Sequence, residues 1–181
     1  DINAQFVLGE MYLNGEGVPQ DYKQAFKWFT KTVELYTRLA EQGHKNFQHR
    51  LGFMYSEGMG VDKDHKKAVK WLTKAAEQEI IEAQVSLGNI FFVAEDYKQA
   101  FKWFTKAAEQ GDASAQMGLG VLYFKGFGVT QNNNKAYILI ATAAVNGNKT
   151  AVQILDAVAK QLSPSELEEA TKLYDEISSN N

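Results

Sequence analysis

The chain has 181 residues, 45% of them hydrophobic and 23% charged, with 14 glycines, 2 prolines and no cysteine. That composition excludes a disordered chain and suits one globular domain or one short repeat array, and no run approaches the roughly 20 apolar residues of a membrane span. A net charge of −3 with evenly spread lysines offers nucleic acid no basic face, and the lack of cysteine excludes a disulfide framework, thiolate catalysis and a cysteine-ligated zinc site.

Four segments read alike along the chain. Ala4 to Lys31 reads AQFVLGEMYLNGEGVPQDYKQAFKWFTK, and Phe47 to Lys74 reads FQHRLGFMYSEGMGVDKDHKKAVKWLTK. Ala83 to Lys106 is the shorter AQVSLGNIFFVAEDYKQAFKWFTK, and Ala115 to Thr142 is AQMGLGVLYFKGFGVTQNNNKAYILIAT. A partial fifth unit, AVQILDAVA, starts at Ala151. Gly9, Gly52, Gly88 and Gly120 set the period, with steps of 43, 36 and 32 residues. The long step holds a seven-residue insertion between Lys31 and Ala40. Seven residues at about 100° each nearly complete two helical turns, so the lengthened helix keeps its face. The short step lacks the GxGV turn and leaves Val93-Ala94-Glu95 as a tight connection.

Each unit predicts two helices. The first carries Ala4, Leu8, Gly9 and Tyr12 at helical spacing, matched by Ala83, Leu87, Gly88 and Phe91. Its glycine lets a neighbouring helix approach closely. A glycine turn follows at Gly15/Gly17, Gly58/Gly60 and Gly126/Gly128. Asp21, Asp64, Asp96 and Asn132 are then placed to cap the second helix. Its apolar stripe is Ala25, Trp28 and Phe29, then Ala68, Trp71 and Leu72, then Ala100, Trp103 and Phe104, with Leu139 replacing the tryptophan in the fourth unit. Gly43 and Gly111 close their units as C-caps. At the end, Ser163-Pro164-Ser165-Glu166 reads as a capping box opening a helix with Leu167, Ala170, Leu173, Tyr174 and Ile177 on one face. The expectation is all-α: an α-solenoid of about ten helices in antiparallel pairs with a C-terminal capping helix. It forms a single repeat domain over residues 1–181, with repeats at about 1–43, 44–79, 80–111 and 112–147 and a partial repeat and cap at 148–178.

The LGxxY, GxGV, DxxKAxxW and AAEQG strings, recurring in one order from Ala4 to about Ala151, resemble the Sel-one-like repeat (SLR) proteins, relatives of the tetratricopeptide repeat. That resemblance implies a right-handed superhelix serving as an adaptor or scaffold for other proteins, and a bacterial source. Members of the family are often exported, and some are immunity proteins that neutralise a toxic effector. The chain begins at Asp1 without a leader pattern, as expected of a trimmed or processed form. The resemblance favours the bacterial periplasm or export over the cytoplasm.

No motif argues for catalysis or a cofactor. The GxGV turns lack the strand–glycine–helix context of a nucleotide site, and their recurrence points to turn geometry. His44 and His49 are five residues apart, on different sides of a helix, and His65 is remote, so no metal site is expected. Trp28, Trp71 and Trp103 recur with Ala25, Ala68 and Ala100 and read as core, each costing about 3–5 kcal/mol on truncation to Ala where buried.

Partner binding is expected on the first helix of each unit, on a stripe about 150° from the packing stripe. It comprises Phe6, Glu10 and Leu13; His49, Phe53 and Ser56; Val85, Asn89 and Phe92; and Met117, Val121 and Phe124. The resemblance places such positions on a concave groove. About half of them, Phe6 above all, are expected to pack between repeats, leaving Phe53, Phe92 and Phe124 as an apolar strip edged by Glu10 and Asn89. The function expected is a non-enzymatic scaffold that takes a protein or peptide there. The alternative is an immunity protein that blocks a secreted toxin, with the insertion Thr32 to Leu39 as a partner-specific element. No nucleic acid or membrane span is expected, and the chain is expected to be a monomer or weak dimer.

Overall fold

A computed structural model describes residues 2–179, with side chains for residues 3–176. Among the described residues there are ten helices and no strand: α1 (Ile2–Asn14), α2 (Tyr22–Glu41), α3 (Lys45–Glu57), α4 (His65–Ala76), α5 (Ile81–Val93), α6 (Tyr97–Glu109), α7 (Ala113–Lys125), α8 (Asn133–Val145), α9 (Lys149–Ala159) and α10 (Pro164–Ser179). None is long and apolar enough to cross a membrane. The array is organised as two compact units, one ending at Ala83 and the other beginning at Gln84.

Local chemistry sets the helix ends. Asp21 accepts hydrogen bonds from the amides of Lys23 and Gln24, Asp64 from Lys67, Asp96 from Gln99 and Asn132 from Lys135. Asp112 and Asn148 cap α7 and α9 in the same way, without having been anticipated. Gly43 and Gly111 take positive φ after their helices, whereas the shortened third turn forces Glu95 to φ 59°. At the far end the Ser163 amide donates to Glu166 Oε2 at 2.7 Å and the Glu166 amide to Ser163 Oγ at 3.3 Å, a reciprocal capping box. The Ser163 amide and hydroxyl hold the Glu166 carboxyl below its ordinary pKa. Leu167 and Ala170 of α10 close over Ile140, Val158 and Leu162. Leu173 is exposed and Tyr174 half-buried, while the Ile177 side chain lies outside the described residues.

Within each pair, one contact recurs. A Cβ on Gly9 would lie 2.5 Å from the Phe29 ring, on Gly52 2.7 Å from Leu72, on Gly88 2.5 Å from Phe104 and on Gly120 2.7 Å from Ile140. The first helix therefore seats its glycine on the bulky residue that follows the tryptophan position of the second. Trp71 and Trp103 are only 6% and 4% exposed, as a core role requires. Trp28 departs from that expectation. It is half-buried, with Lys31 Nζ 4.6 Å above its ring. Ala4 is exposed, while Ala83 and Ala115 are fully buried.

A second contact joins the first pair to the second and the third pair to the fourth. Gly128 has φ 66°, and a Cβ there would stand 2.7 Å from the Tyr97 carbonyl carbon, so this turn rests directly on the backbone of α6. Gly60, at φ 72°, meets the backbone of Phe29 and Thr30 in α2, where the Thr30 hydroxyl donates to the Gly60 carbonyl at 2.8 Å. Tyr97 corresponds in sequence to Tyr22, so Gly60 docks seven residues, about 10.5 Å, further along its helix than Gly128 does. Thus α2 serves α1 in one register and α3 in another. The inserted turns are core: Thr32, Val33 and Tyr36 are buried, and Tyr36 packs on Phe47 with ring centroids 5.1 Å apart. Phe47, where three other units have alanine, thus fills against the insertion. The insertion thus has a structural role through Thr32, Val33 and Tyr36, while its Glu34 and Arg38 are exposed.

The insertion also breaks a hydrogen-bond series. Gln48, Gln84 and Gln116 are buried four residues before their glycines, and each side-chain carbonyl accepts from the end of its own pair: Gln78 Nε2 at 2.7 Å, Gln110 Nε2 at 2.8 Å and Asn146 Nδ2 at 3.0 Å. Gln5 holds the corresponding place in α1, and its buried Oε1 has no partner. Seven residues beyond the tryptophan position stands Leu35, not the amide found at Gln78 and Gln110. An unmet buried acceptor costs about 1–3 kcal/mol. Leu35→Gln is therefore expected to raise the urea-unfolding free energy by about 1 kcal/mol after the loss of the half-buried leucine, and the gain should vanish in Gln5→Leu/Leu35→Gln.

A cleft on the first-helix face as the candidate functional site

The residues of α3 divide cleanly by face. Leu51, Gly52 and Met54 are buried against α2 and α4, while Asn46, His49, Arg50 and Phe53 follow at i, i+3, i+4 and i+7 along the other side. Together with Phe6 of α1 and Ile80 and Glu82 ahead of and in the first turn of α5, these four line a cleft of about 410 Å³. Its apolar wall is Phe6, Phe53 and Ile80, and its rim carries Arg50 and Glu82. Phe53 is 43% exposed, the largest uncovered apolar side chain on this face. Burial lowers the His49 pKa below its usual value, with Glu82 opposing that shift and Arg50 adding to it. A pocket of this size and lining suits a side chain or short segment of a polypeptide, held by apolar contact and oriented by a few polar groups.

The structure brings three of the expected binding residues, Phe6, His49 and Phe53, to this one cleft. Phe6 serves both surfaces, since its other side meets Phe29 at 5.5 Å between ring centroids. Glu10 and Leu13 are exposed further along α1, and the Ser56 hydroxyl donates to the Phe53 carbonyl at 2.8 Å. In the second unit Asn89 is exposed, and Val85 and Val121 are half-buried. Phe92 stands edge-on to Tyr97 at 5.7 Å. Met117 and Phe124 pack on the cluster of Ile140, Ala143, Ala151 and Val158, with Lys125 Nζ 5.2 Å from the Phe124 ring. Their apolar area thus belongs largely to the terminal core rather than to an open strip. Asn46, Arg50, Ile80 and Glu82 were not anticipated. The helical spacing of Asn46 and Arg50 around His49 was the available signal. Ile80 and Glu82 come from the next unit's approach, which no local pattern records. Among the described residues no three His, Cys, Asp or Glu side chains converge as metal ligands.

The sequence pattern of the Sel1 repeat matches residues 2–35, 30–44, 46–79, 82–112 and 113–148. No curated protein matches the chain. Among solved structures, a Sel1 repeat protein from Oxalobacter formigenes is 29% identical with a TM-score of 0.67, the alignment covering 98% of this chain and 74% of that one. A protective antigen of uropathogenic Escherichia coli displaying an SLR fold is 27% identical with a TM-score of 0.47, covering 97% and 53%. An immunity protein of Pseudomonas aeruginosa is 22% identical with a TM-score of 0.41, covering 97% and 80%.

The burial of His49 has a pH consequence. Its pKa is depressed in the folded chain, so the unfolded chain takes up the proton first as pH falls through about 6.5. Stability contributed by the neutral imidazole is complete above that pH and declines below it. The His49 ring should titrate below 6.5 by NMR, and wild type should lose more unfolding free energy between pH 7.5 and 5.5 than His49→Gln. A midpoint at or above 6.5 would contradict this.

Proposed function

Because this chain belongs to the Sel1 repeat family, whose repeats generally act as protein-interaction scaffolds, we propose that it is a non-enzymatic scaffold that takes a peptide segment of a partner protein on the exposed face of its first helices. The observation that carries this reading is the α3 cleft. Phe53 stays uncovered there beside Phe6 and Ile80, and Asn46, His49, Arg50 and Glu82 converge as polar groups. An apolar side chain of the partner fills the wall, and its flanking backbone and charges meet the rim.

Phe53→Ser removes the exposed ring without opening the core, whereas Phe124→Ser would also disturb the packing around Ile140 and Val158. Purified tagged chain, wild type and Phe53→Ser, would be compared for capture of a partner from cells of the source organism, with folding checked by circular dichroism. The expected result is a loss of capture of at least tenfold, about 1.4 kcal/mol or more, in a variant that remains helical. Equal capture by folded Phe53→Ser would remove the cleft from the interface. A captured secreted toxin whose effect is relieved by co-expression would give the scaffold the narrower role of an immunity protein.

A further inference from the structure

The displaced docking register leaves a surface uncovered. Tyr22 and Phe26 lie four residues apart on the side of α2 that also carries Phe29 and Val33, the side turned toward the next pair. Their counterparts in the third repeat are covered. Tyr97 stacks on Phe127 of the following glycine turn, with centroids 4.4 Å apart and planes 18° apart, and Phe101 stands edge-on to Tyr123 at 5.6 Å. In the first repeat the turn that would do this sits two helical turns away, on Phe29 and Thr30. Tyr22 is consequently 66% exposed and Phe26 51% exposed.

Charge decides what fits this aromatic ledge. Lys23 and Lys27 are exposed on the same turns of α2, and the nearby Asp21 is committed to the amides of Lys23 and Gln24. A second copy of the chain pairing ledge to ledge about a two-fold axis would bring lysines against lysines. We propose that the ledge is a second docking surface, distinct from the α3 cleft, for a protein segment presenting an aromatic side chain flanked by aspartate or glutamate. The aromatic takes the place that Phe127 holds on Tyr97, and the acids meet Lys23 and Lys27.

Random 16-residue peptides displayed on phage would be panned against the full chain and against Tyr22→Ser/Phe26→Ser, both verified as folded by circular dichroism. Peptides enriched on wild type and not on the variant should share an aromatic residue beside at least two acids. A synthetic peptide from that pool should bind at least tenfold more weakly to the double variant and at least threefold more weakly to Lys23→Glu/Lys27→Glu. Its affinity should fall with added salt and be unchanged in Phe53→Ser, which separates this surface from the cleft. Three results would each overturn the proposal: no ledge-dependent enrichment, enriched peptides lacking acids, or a dimer in sedimentation equilibrium that the ledge substitutions dissolve.

Discussion

Gly9, Gly52, Gly88 and Gly120 press the first helix of each pair against Phe29, Leu72, Phe104 or Ile140 at a separation that leaves no room for a Cβ. This contact fixes the rotation of the first helix about its own axis. Once the glycine faces its partner, the leucine beside it turns into the core, as with the fully buried Leu51 and Leu87. Residues about 150° away, Phe53 among them, are left to the opposite side. The candidate binding surface is in this sense the remainder of the packing problem, the part of each first helix that its own partner cannot reach.

The second helix solves a harder problem, because it must hold its own first helix and also receive the next pair. In the third repeat the two tasks fall seven residues apart on α6, with Gly88 over Phe104 and Gly128 on Tyr97. In the first, Phe29 still lies under Gly9 while the next turn has moved along α2 onto Phe29 and Thr30, so both tasks meet at one point and the start of the helix is left over. Two nearly complete turns preserve the buried face, which is why Val33, Tyr36 and Ala40 are buried in a helix of 20 residues. The displacement has costs and openings. It strands the Gln5 carbonyl, brings Phe47 onto Tyr36, and leaves Tyr22 and Phe26 without the aromatic cover that Tyr97 and Phe101 enjoy.

Much of this was legible before any coordinates. Helix count, cap residues, glycine turns and the glycine contact all follow from short-range pattern, because each depends on residue type at fixed spacing. The buried glutamines were also in view, as the residue four places before each glycine, but a polar side chain in a core stripe is read only once its partner at the end of the second helix is seen. What the pattern did not carry was distance along a helix. Periodicity preserves a face under a seven-residue shift and says nothing of the 10.5 Å or so of translation that accompanies it. Exposure followed the same rule: Phe53, Phe92 and Phe124 look alike in sequence, yet only Phe53 is strongly exposed, because what covers the other two is their neighbours in space.

A family of interaction repeats, an apolar cleft edged by opposite charges and an uncommitted phenylalanine together make the α3 face the functional centre of this account. Site-specific photocrosslinking tests that claim most directly. A benzophenone amino acid would be placed at Phe53 in one preparation and at Val145, exposed on α8, in another, and both would be irradiated in cells of the source organism. The account predicts one discrete adduct from position 53 and none from position 145. The same adduct from both positions, or an adduct from position 145 alone, would contradict it.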